Sequence, residues 1–208
     1  MTTATRQRLL DAALRAFAEH GVSGASLVEI TRRAGQRNRG AVHYHFGGRE
    51  GLLVAVLESQ AGFLAEREGQ LLDIARAGAP GDVAGVVEAI VRPAVELAET
   101  GWRGGAYLSI VGELVEQDQD ALGAEVAAAL RHTGGYDVFA LLAERLPPMD
   151  DALRDERFAL TTAYILGAVA RRARAADRPG RPQLGSERFV ANLVQTAAAI
   201  LTAPTDGV

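Results

Sequence analysis

Apolar side chains recur along most of the chain at spacings of three and four residues, which is the repeat of an amphipathic helix. The first such segment predicts a helix over 5–20, and Gly21 is a suitable residue to end it. Its apolar positions are Leu9, Leu10, Ala13, Leu14, Phe17 and Ala18. No stretch shows the alternation of a half-buried strand, so the pattern predicts an all-α fold.

Two shorter helices are predicted before residue 47. Ser26-Leu27-Val28-Glu29 matches a capping box, in which the serine oxygen accepts the Glu29 amide and the glutamate reaches back to the serine amide. The second helix therefore begins at Ser26, and Gly35 ends it in a sharp turn. Asn38 is the predicted cap of a third helix over 39–46, which Gly47-Gly48 ends.

Longer helices are predicted over 49–76, 82–100, 102–116, 150–175 and 186–201, with one or two more between residues 121 and 145. Ser186 is the expected N-cap of the last helix, and segments 77–81 and 177–182 are linkers rich in Gly and Pro. We expect about nine helices: a three-helix domain over 1–48, a helical domain over 49–203 and a flexible tail over 204–208.

Composition narrows the function classes. The 208 residues include no cysteine, which excludes disulfides and thiolate chemistry. The N-terminus lacks the apolar core of a signal peptide, and charges or glycines interrupt every apolar run before the length of a membrane span. We therefore expect a soluble cytoplasmic protein with no membrane partner.

Charge is distributed unevenly along the chain. The net charge is −4, yet the first fifty residues hold eight arginines and four acids, a balance of +4 that leaves −8 for the remainder. A basic head on an acidic body is typical of a protein that binds phosphate groups. Chance clustering of surface charge is the alternative interpretation.

The capped second helix, the glycine turn and the short third helix have the layout of a helix-turn-helix that reads DNA. Val42 and Phe46 lie four residues apart and are expected to anchor the third helix to the core. Arg39 can fork onto a guanine edge from the opposite face, and Tyr44 can bond a phosphate near the helix end. The alternative is that Tyr44 and His45 only pack against the protein and do not contact DNA. His43 and His45 point about 200° apart on a helix, so we expect no metal there.

Four motifs at these spacings, RQRLLDAALRAFAEHG, ASLVEITRRAG, AVHYHF and GGREGLL, carry a resemblance to a known family. Residues 5–57 resemble the N-terminal domain of the tetracycline-repressor (TetR) family of bacterial regulators. The rest of the chain resembles the family only in its helical layout. One departure is the turn before the third helix, Ala34-Gly35-Gln36-Arg37-Asn38, which is one residue longer than the family's usual Ala-Gly-Val-Ser.

The resemblance implies roles for particular residues. Ser26 contacts phosphate as well as capping its helix, Tyr44 and His45 clamp the DNA backbone, and Arg49 stands where the family usually has a phosphate-binding lysine. The base-reading positions are Arg39, Gly40, Ala41 and His43, and the longer turn adds Arg37 and Asn38 beside the groove. The expected DNA contacts are thus Ser26, Arg37, Asn38, Arg39, Gly40, Ala41, His43, Tyr44, His45 and Arg49.

A ligand pocket is expected in the body. Pro93 lies in the middle of an apolar predicted helix, where it removes a hydrogen bond to residue 89 and should bend the helix enough to open a cavity. The alternative is a bent packing helix without a cavity. Each candidate lining residue also has an ordinary core interpretation: Phe63, Trp102, Tyr107, Glu113, Phe139 and Tyr164. Because polar residues are scarce, we expect an apolar or aromatic ligand.

The last two helices are expected to form a homodimer through a four-helix bundle. The helix over 150–175 has a small-residue face, and the final helix offers an apolar stripe. The small residues are Ala159, Ala163, Gly167 and Ala170; the stripe is Phe189, Val190, Leu193, Val194, Ala197, Ile200 and Leu201. Twofold symmetry then predicts a near-palindromic operator.

A second group of arginines follows the predicted helix over 150–175. It is either another nucleic-acid patch or, as we favour, a set of cations that interact with the negative end of that helix. The residues are Arg171, Arg172, Arg174, Arg178 and Arg181.

The sequence as a whole predicts a homodimeric transcriptional regulator, a repressor that a small effector releases from double-stranded DNA, with the fourth helix as the lever between head and body. The rival is a ligand-independent DNA-binding regulator, which a solid core would favour. An enzyme is the third choice, because no catalytic grouping, phosphate loop or metal-ligand spacing is present, and we expect no cofactor.

Overall fold

A computed structural model describes residues 2–117, 122–176 and 183–205, and over these ranges the fold is all-α with ten helices. The helices are α1 (Thr2–His20), α2 (Leu27–Arg33), α3 (Ala41–Phe46), α4 (Arg49–Ala77), α5 (Val83–Glu99), α6 (Trp102–Val115), α7 (Ala124–Arg131), α8 (Tyr136–Arg145), α9 (Asp151–Ala176) and α10 (Ser186–Leu201). None of the helices in these ranges has the length and apolar character needed to cross a membrane.

Most predicted helix boundaries agree with the structure, and the differences have local causes. The stretch between residues 121 and 145 forms two helices because Gly134 and Gly135 adopt φ values of +103° and +94°, which interrupt the helical path. Ser186 is the first residue of α10 and not its N-cap; that position belongs to Gly185, and the Ser186 hydroxyl hydrogen-bonds Glu99 on α5.

The N-terminal helices α1, α2 and α3 pack on one another and on the start of α4. Each contributes one apolar stripe to a shared core in which Phe17 is 1% exposed and Leu14, Ile30 and Val42 are also buried. Burial of a side chain of this size stabilises the fold by about 1.5–3 kcal/mol. Because α3 has only six residues, this packing holds it in place more than its own helical propensity does.

Helix α5 lies at the centre of the body and contacts α4, α6, α8, α9 and α10. It remains one helix through the buried Pro93, so the proline lies inside α5 as predicted. Helix α6 packs on α1, α5 and α9. Its approach to α9 depends on Gly105, where an added Cβ would lie 2.9 Å from the Cβ of Ala173.

Helix α10 packs on α5 and α9 of the same chain. Five of the seven residues predicted for its dimer-forming stripe are buried in this intrachain core: Val190, Leu193, Val194, Ala197 and Leu201. The sequence pattern identified the apolar face of α10 correctly, and much of that face packs inside the chain. The homodimer through the last two helices stays a prediction.

Candidate nucleic-acid interface and body cleft

Ser26 caps α2 as predicted, but the reciprocal half of the capping box does not form. The Ser26 hydroxyl oxygen accepts the Glu29 amide at 3.4 Å. The Glu29 carboxylate is held by the guanidinium groups of Arg32 and Arg33, at 2.8–2.9 Å. These hydrogen bonds lower the pKa of Glu29 to about 2. Two basic side chains of the head are therefore paired with an acid of their own helix.

Gly35 controls the direction of the turn between α2 and α3. Its φ of +69° lies in the left-handed region, and the Gly35 and Gln36 amides donate to the carbonyl oxygens of Arg32 and Thr31. This pair of bonds is a Schellman motif, which satisfies the last carbonyls of α2. The predicted stop at Gly35 is thus confirmed.

The remainder of the turn is longer than expected because α3 begins only at Ala41. The Asn38 side-chain oxygen accepts the Gly40 amide at 2.9 Å, so Asn38 stabilises a turn within the loop and Gly40 occupies the N-cap position. The prediction of Asn38 as the cap of α3 is wrong by two residues. Arg37, Asn38, Arg39 and Gly40 all lie exposed in this loop.

Helix α3 presents one polar face to solvent. Val42 is buried, and Phe46 is half-buried with the Arg6 guanidinium 4.9 Å from its ring centre. On the outside, His43 is exposed and Tyr44 is 78% exposed. An aromatic side chain that forms so little of the core is available to a partner.

Two expected DNA contacts need correction or refinement. Ala41 is only 6% exposed and belongs to the head core, so its side chain does not lie on the outer surface of α3. His45 is half-buried, and its ring meets that of Tyr44 edge to face at 5.0 Å, so it supports the tyrosine from the side.

Arg49 has a structural role that the sequence did not reveal. Its guanidinium donates to the carbonyl oxygens of Val22 at 2.6 Å and Ala25 at 2.5 Å, which fastens the start of α4 to the loop between α1 and α2. The expectation of an arginine held ready for phosphate is therefore corrected. Because both acceptors are backbone atoms more than twenty residues away, no sequence motif signals the contact.

Helix α6 is joined to the head by polar contacts. The Glu113 carboxylate accepts the Val22 amide with both oxygens, at 2.9 and 3.1 Å. Arg103 donates two hydrogen bonds to Asp11 of α1, at 2.7 and 2.9 Å, and these lower the pKa of Asp11. Sequence reasoning missed this connection, since each pair is separated by about ninety residues.

The six residues predicted to line one pocket are not brought together. Tyr107 is fully buried and donates to the Leu57 carbonyl oxygen at 3.0 Å, while Glu113 binds the head as described. Phe139 packs on Phe158 with ring centres 4.9 Å apart, and the Tyr164 hydroxyl hydrogen-bonds Thr196 at 2.9 Å. Phe63 lies 39% exposed on α4.

Trp102 alone among these six lines a cleft that the described residues form between the head and the body. The cleft has a volume of about 510 Å³ and lies between α1, α5, α6 and α9. Arg15 stacks over the Trp102 ring, with the guanidinium carbon 3.9 Å from the ring centre. The prediction of one pocket lined by the six residues is therefore wrong.

The second arginine cluster has local partners where the structure describes it. Arg172 donates to the Leu184 carbonyl oxygen at 2.8 Å, and Arg174 donates to the Ser109 hydroxyl at 3.2 Å. Arg171 is exposed, whereas Arg178 and Arg181 lie outside the described residues. These contacts agree with the favoured interpretation of structural cations near the end of α9.

Comparison with known proteins places both halves of the chain in one family. Residues 9–56 match the family model described as bacterial regulatory proteins of the tetR family, and residues 88–199 match the one described as the tetracyclin repressor-like C-terminal domain. Because the second match alone covers more than half of the chain, the chain belongs to the TetR family.

Curated relatives match mainly through the head. The transcriptional regulator SrpR of Pseudomonas putida is 54% identical over 56 residues, which cover 27% of this chain and 26% of SrpR. The transcriptional repressor AcnR of Corynebacterium glutamicum is 38% identical over 76 residues, covering 36% of this chain and 40% of AcnR. The chain thus spans about a quarter of the first relative's length and less than half of the second's.

A solved structure shares the fold over most of the chain. AibR in complex with isovaleryl coenzyme A and operator DNA superposes with a TM-score of 0.56 at 19% identity, covering 92% of this chain and 97% of AibR. At this identity the likeness concerns the fold. The predicted family and fold class are confirmed.

Proposed function

We propose that the chain is a homodimeric transcriptional regulator that represses by binding an operator and is released by a small effector. In this proposal residues 1–48 form the reading head and residues 49–203 the regulatory and dimerisation body. The observation that carries the proposal is the exposed outer face of α3, where Tyr44 and His43 face solvent while Val42 anchors the helix.

The charges of the head support binding to a phosphate backbone. Arg37 and Arg39 are exposed beside α3, and neither forms an ion pair with a residue in the described ranges. An arginine free of a carboxylate can fork onto a guanine edge or a phosphate. We assign base reading to Arg39 and His43, backbone contacts to Tyr44 and Ser26, and an added contact to Arg37.

The dimer is proposed to form through the outer face of α9 more than through α10. Leu160 is 52% exposed on α9, Ala159 and Gly167 are exposed beside it, and a Cβ on Gly167 would meet no atom within 4 Å. A small-residue face of this kind lets a second copy approach closely, and a twofold axis would place two heads about 34–36 Å apart on a near-palindromic site.

The proposals of repression and of release by an effector are based on two similar proteins and on the cleft. AcnR is a repressor by its name, and AibR was crystallised with both a coenzyme A ester and operator DNA. A cleft of about 510 Å³ has the size of a small-molecule site, which favours an effector over the rival ligand-independent regulator.

Footprinting on the DNA that flanks the chain's own gene tests the proposal. We expect protection of a near-palindromic segment at low salt, with affinity that falls steeply as salt rises because bound arginines release counterions. Leu160→Glu should lower both dimer content in sedimentation and DNA affinity, while Ile74→Glu, at an exposed residue on α4, should change neither. Absence of any protected segment at low salt would contradict the proposal.

A further inference from the structure

The cleft between the head and the body combines an apolar floor with a charged rim. Its floor is formed by Ala18 of α1, Val95 and Ala98 of α5, and Trp102 and Ala106 of α6. Four of these five residues are aliphatic, and Trp102 is 36% exposed toward solvent. Large aromatic surface left open beside a concave apolar floor is suited to the apolar part of a small molecule.

The rim carries two cations, Arg15 and Arg174, that have no carboxylate partner among the residues that the structure describes. Arg15 stacks on Trp102, and Arg174 donates only to the Ser109 hydroxyl; within the described residues neither has a carboxylate oxygen within 4.0 Å. Asp11, four residues before Arg15 on α1, is hydrogen-bonded by Arg103.

The two acids of the rim already have partners. Glu19 is bound by Arg33 of the head at 2.6 Å, and Glu99 is bound by Arg172 at 3.4 Å. Among the described residues, the charge that remains without a partner at the cleft is therefore positive, even though the body of the chain is acidic overall.

We propose that this cleft binds a small amphipathic anion, a molecule with an apolar body and one terminal carboxylate, as the effector of the regulator. The apolar body lies against Trp102 and the alanines of the floor, and the carboxylate accepts hydrogen bonds from Arg174 and Arg15. The proposal deepens the proposed function and rests on it for the link to DNA. It replaces the apolar or aromatic ligand that the sequence suggested.

The position of the cleft explains how occupancy reaches the reading head. Its walls belong to α1 on one side and to α5, α6 and α9 on the other, and the Asp11–Arg103 bridge joins α1 to α6 close by. If the ligand binds more tightly to the conformation with one distance between α1 and α6 than to the others, it shifts the population toward that conformation and so changes the orientation of the head. Two heads held at a changed spacing no longer fit both half-sites of an operator.

The chain contains a natural reporter for this site, since Trp102 is its sole tryptophan. Octanoate is the probe, and octan-1-ol and octylamine have the same chain with a neutral or cationic head. We expect octanoate to change Trp102 emission saturably and to release DNA, and calorimetry should give the same affinity. Octan-1-ol should bind roughly tenfold more weakly because it lacks the charge-assisted bonds, and octylamine more weakly still.

Matched variants test the residues. Arg174→Gln should weaken octanoate binding roughly tenfold without altering the octan-1-ol affinity, while Arg131→Gln, at an exposed arginine on α7 outside the cleft, should change neither. Ala18→Leu, at an exposed helical position, should fill the cleft and abolish both responses with helix content unchanged by circular dichroism.

Equal binding of all three probes, or unchanged octanoate binding in Ala18→Leu and Arg174→Gln, would overturn the site. Octanoate binding without any change in DNA affinity would overturn its role as effector site. The fluorescence titration needs no DNA. Failure of the chain to bind DNA would therefore refute the proposed function, whereas the octanoate titration would still decide whether the cleft is a binding site.

Discussion

The hydrogen bonds between Glu113 and the Val22 amide predict a measurable cost when the carboxylate is removed. Both oxygens of this carboxylate approach one amide, at 2.9 and 3.1 Å, across the junction between α6 and the end of α1. A hydrogen bond to a charged acceptor contributes about 1.5–3 kcal/mol, and partial exposure reduces this, so Glu113→Ala should lower the free energy of unfolding by about 1–2 kcal/mol. Glu113→Gln should cost less, because an amide oxygen can still accept the bond.

Urea denaturation at fixed protein concentration, followed by circular dichroism, measures this cost. The Val22 amide should also lose protection against hydrogen exchange in Glu113→Ala. The control is Glu116→Ala, which removes an exposed carboxylate just past the end of α6 and should stay within about 0.5 kcal/mol of the parent. If Glu113→Ala left the denaturation midpoint and the Val22 exchange rate unchanged but abolished an effector response, Glu113 would be a ligand residue and the structural role would be refuted.

Three further predictions concern other parts of the chain. Burial raises the pKa of Glu68 to about 7, although the hydrogen bond from the Gly135 amide opposes this shift. Because the folded chain holds this proton more tightly than the unfolded chain, the free energy of unfolding should fall between pH 5 and 8, and it should fall more in the parent than in Glu68→Gln. An equal dependence of the free energy of unfolding on pH in both proteins, measured by urea titrations, would contradict the assignment. Gly35→Ala should lower the free energy of unfolding by about 1 kcal/mol in urea titrations, because the φ of Gly35 is +69°. Gly35→Asn should lower it less, since asparagine tolerates this region. Denaturation midpoints equal to that of the parent in both variants would argue against the turn geometry. In DNA titrations, Tyr44→Phe should lower the affinity for all DNA sequences alike by a few fold. Arg39→Ala should lose about 1–3 kcal/mol of discrimination at one base pair. If both variants lowered the affinity for all sequences alike, Arg39 would contact only phosphate.

The head shows how far the chain can be interpreted locally. Ser26 and Gly35 were placed correctly because a cap and a left-handed stop act through atoms only a few residues away. Asn38 was misplaced by two residues, since the sequence could not decide between a helix cap and a turn inside a lengthened loop. Ala41 was assigned to DNA by its position in a motif, whereas its burial depends on how α3 sits on α4.

The body shows where local interpretation stops. Trp102 was singled out as a pocket residue, and the structure does place it at the cleft, but Tyr107 and Glu113 were chosen for the same reasons and serve the core and the head junction. An aromatic or acidic residue on an apolar helix face has the same sequence signature in all three settings. Which setting applies is decided by the element that packs opposite.

By itself the sequence determined the class of the protein: helical periodicity, glycine stops and the motifs of the head specify an all-α chain of the TetR family, because these signals act within one helix or one turn. Tertiary structure alone decided which helix faces meet. It assigned Arg49 and Glu113 to the junction, placed the stripe of α10 inside its own chain, and left Arg15 and Arg174 beside an open cleft. These outcomes depend on contacts between residues far apart in the chain. The spacing of residues along one helix does not identify the helix that packs against it.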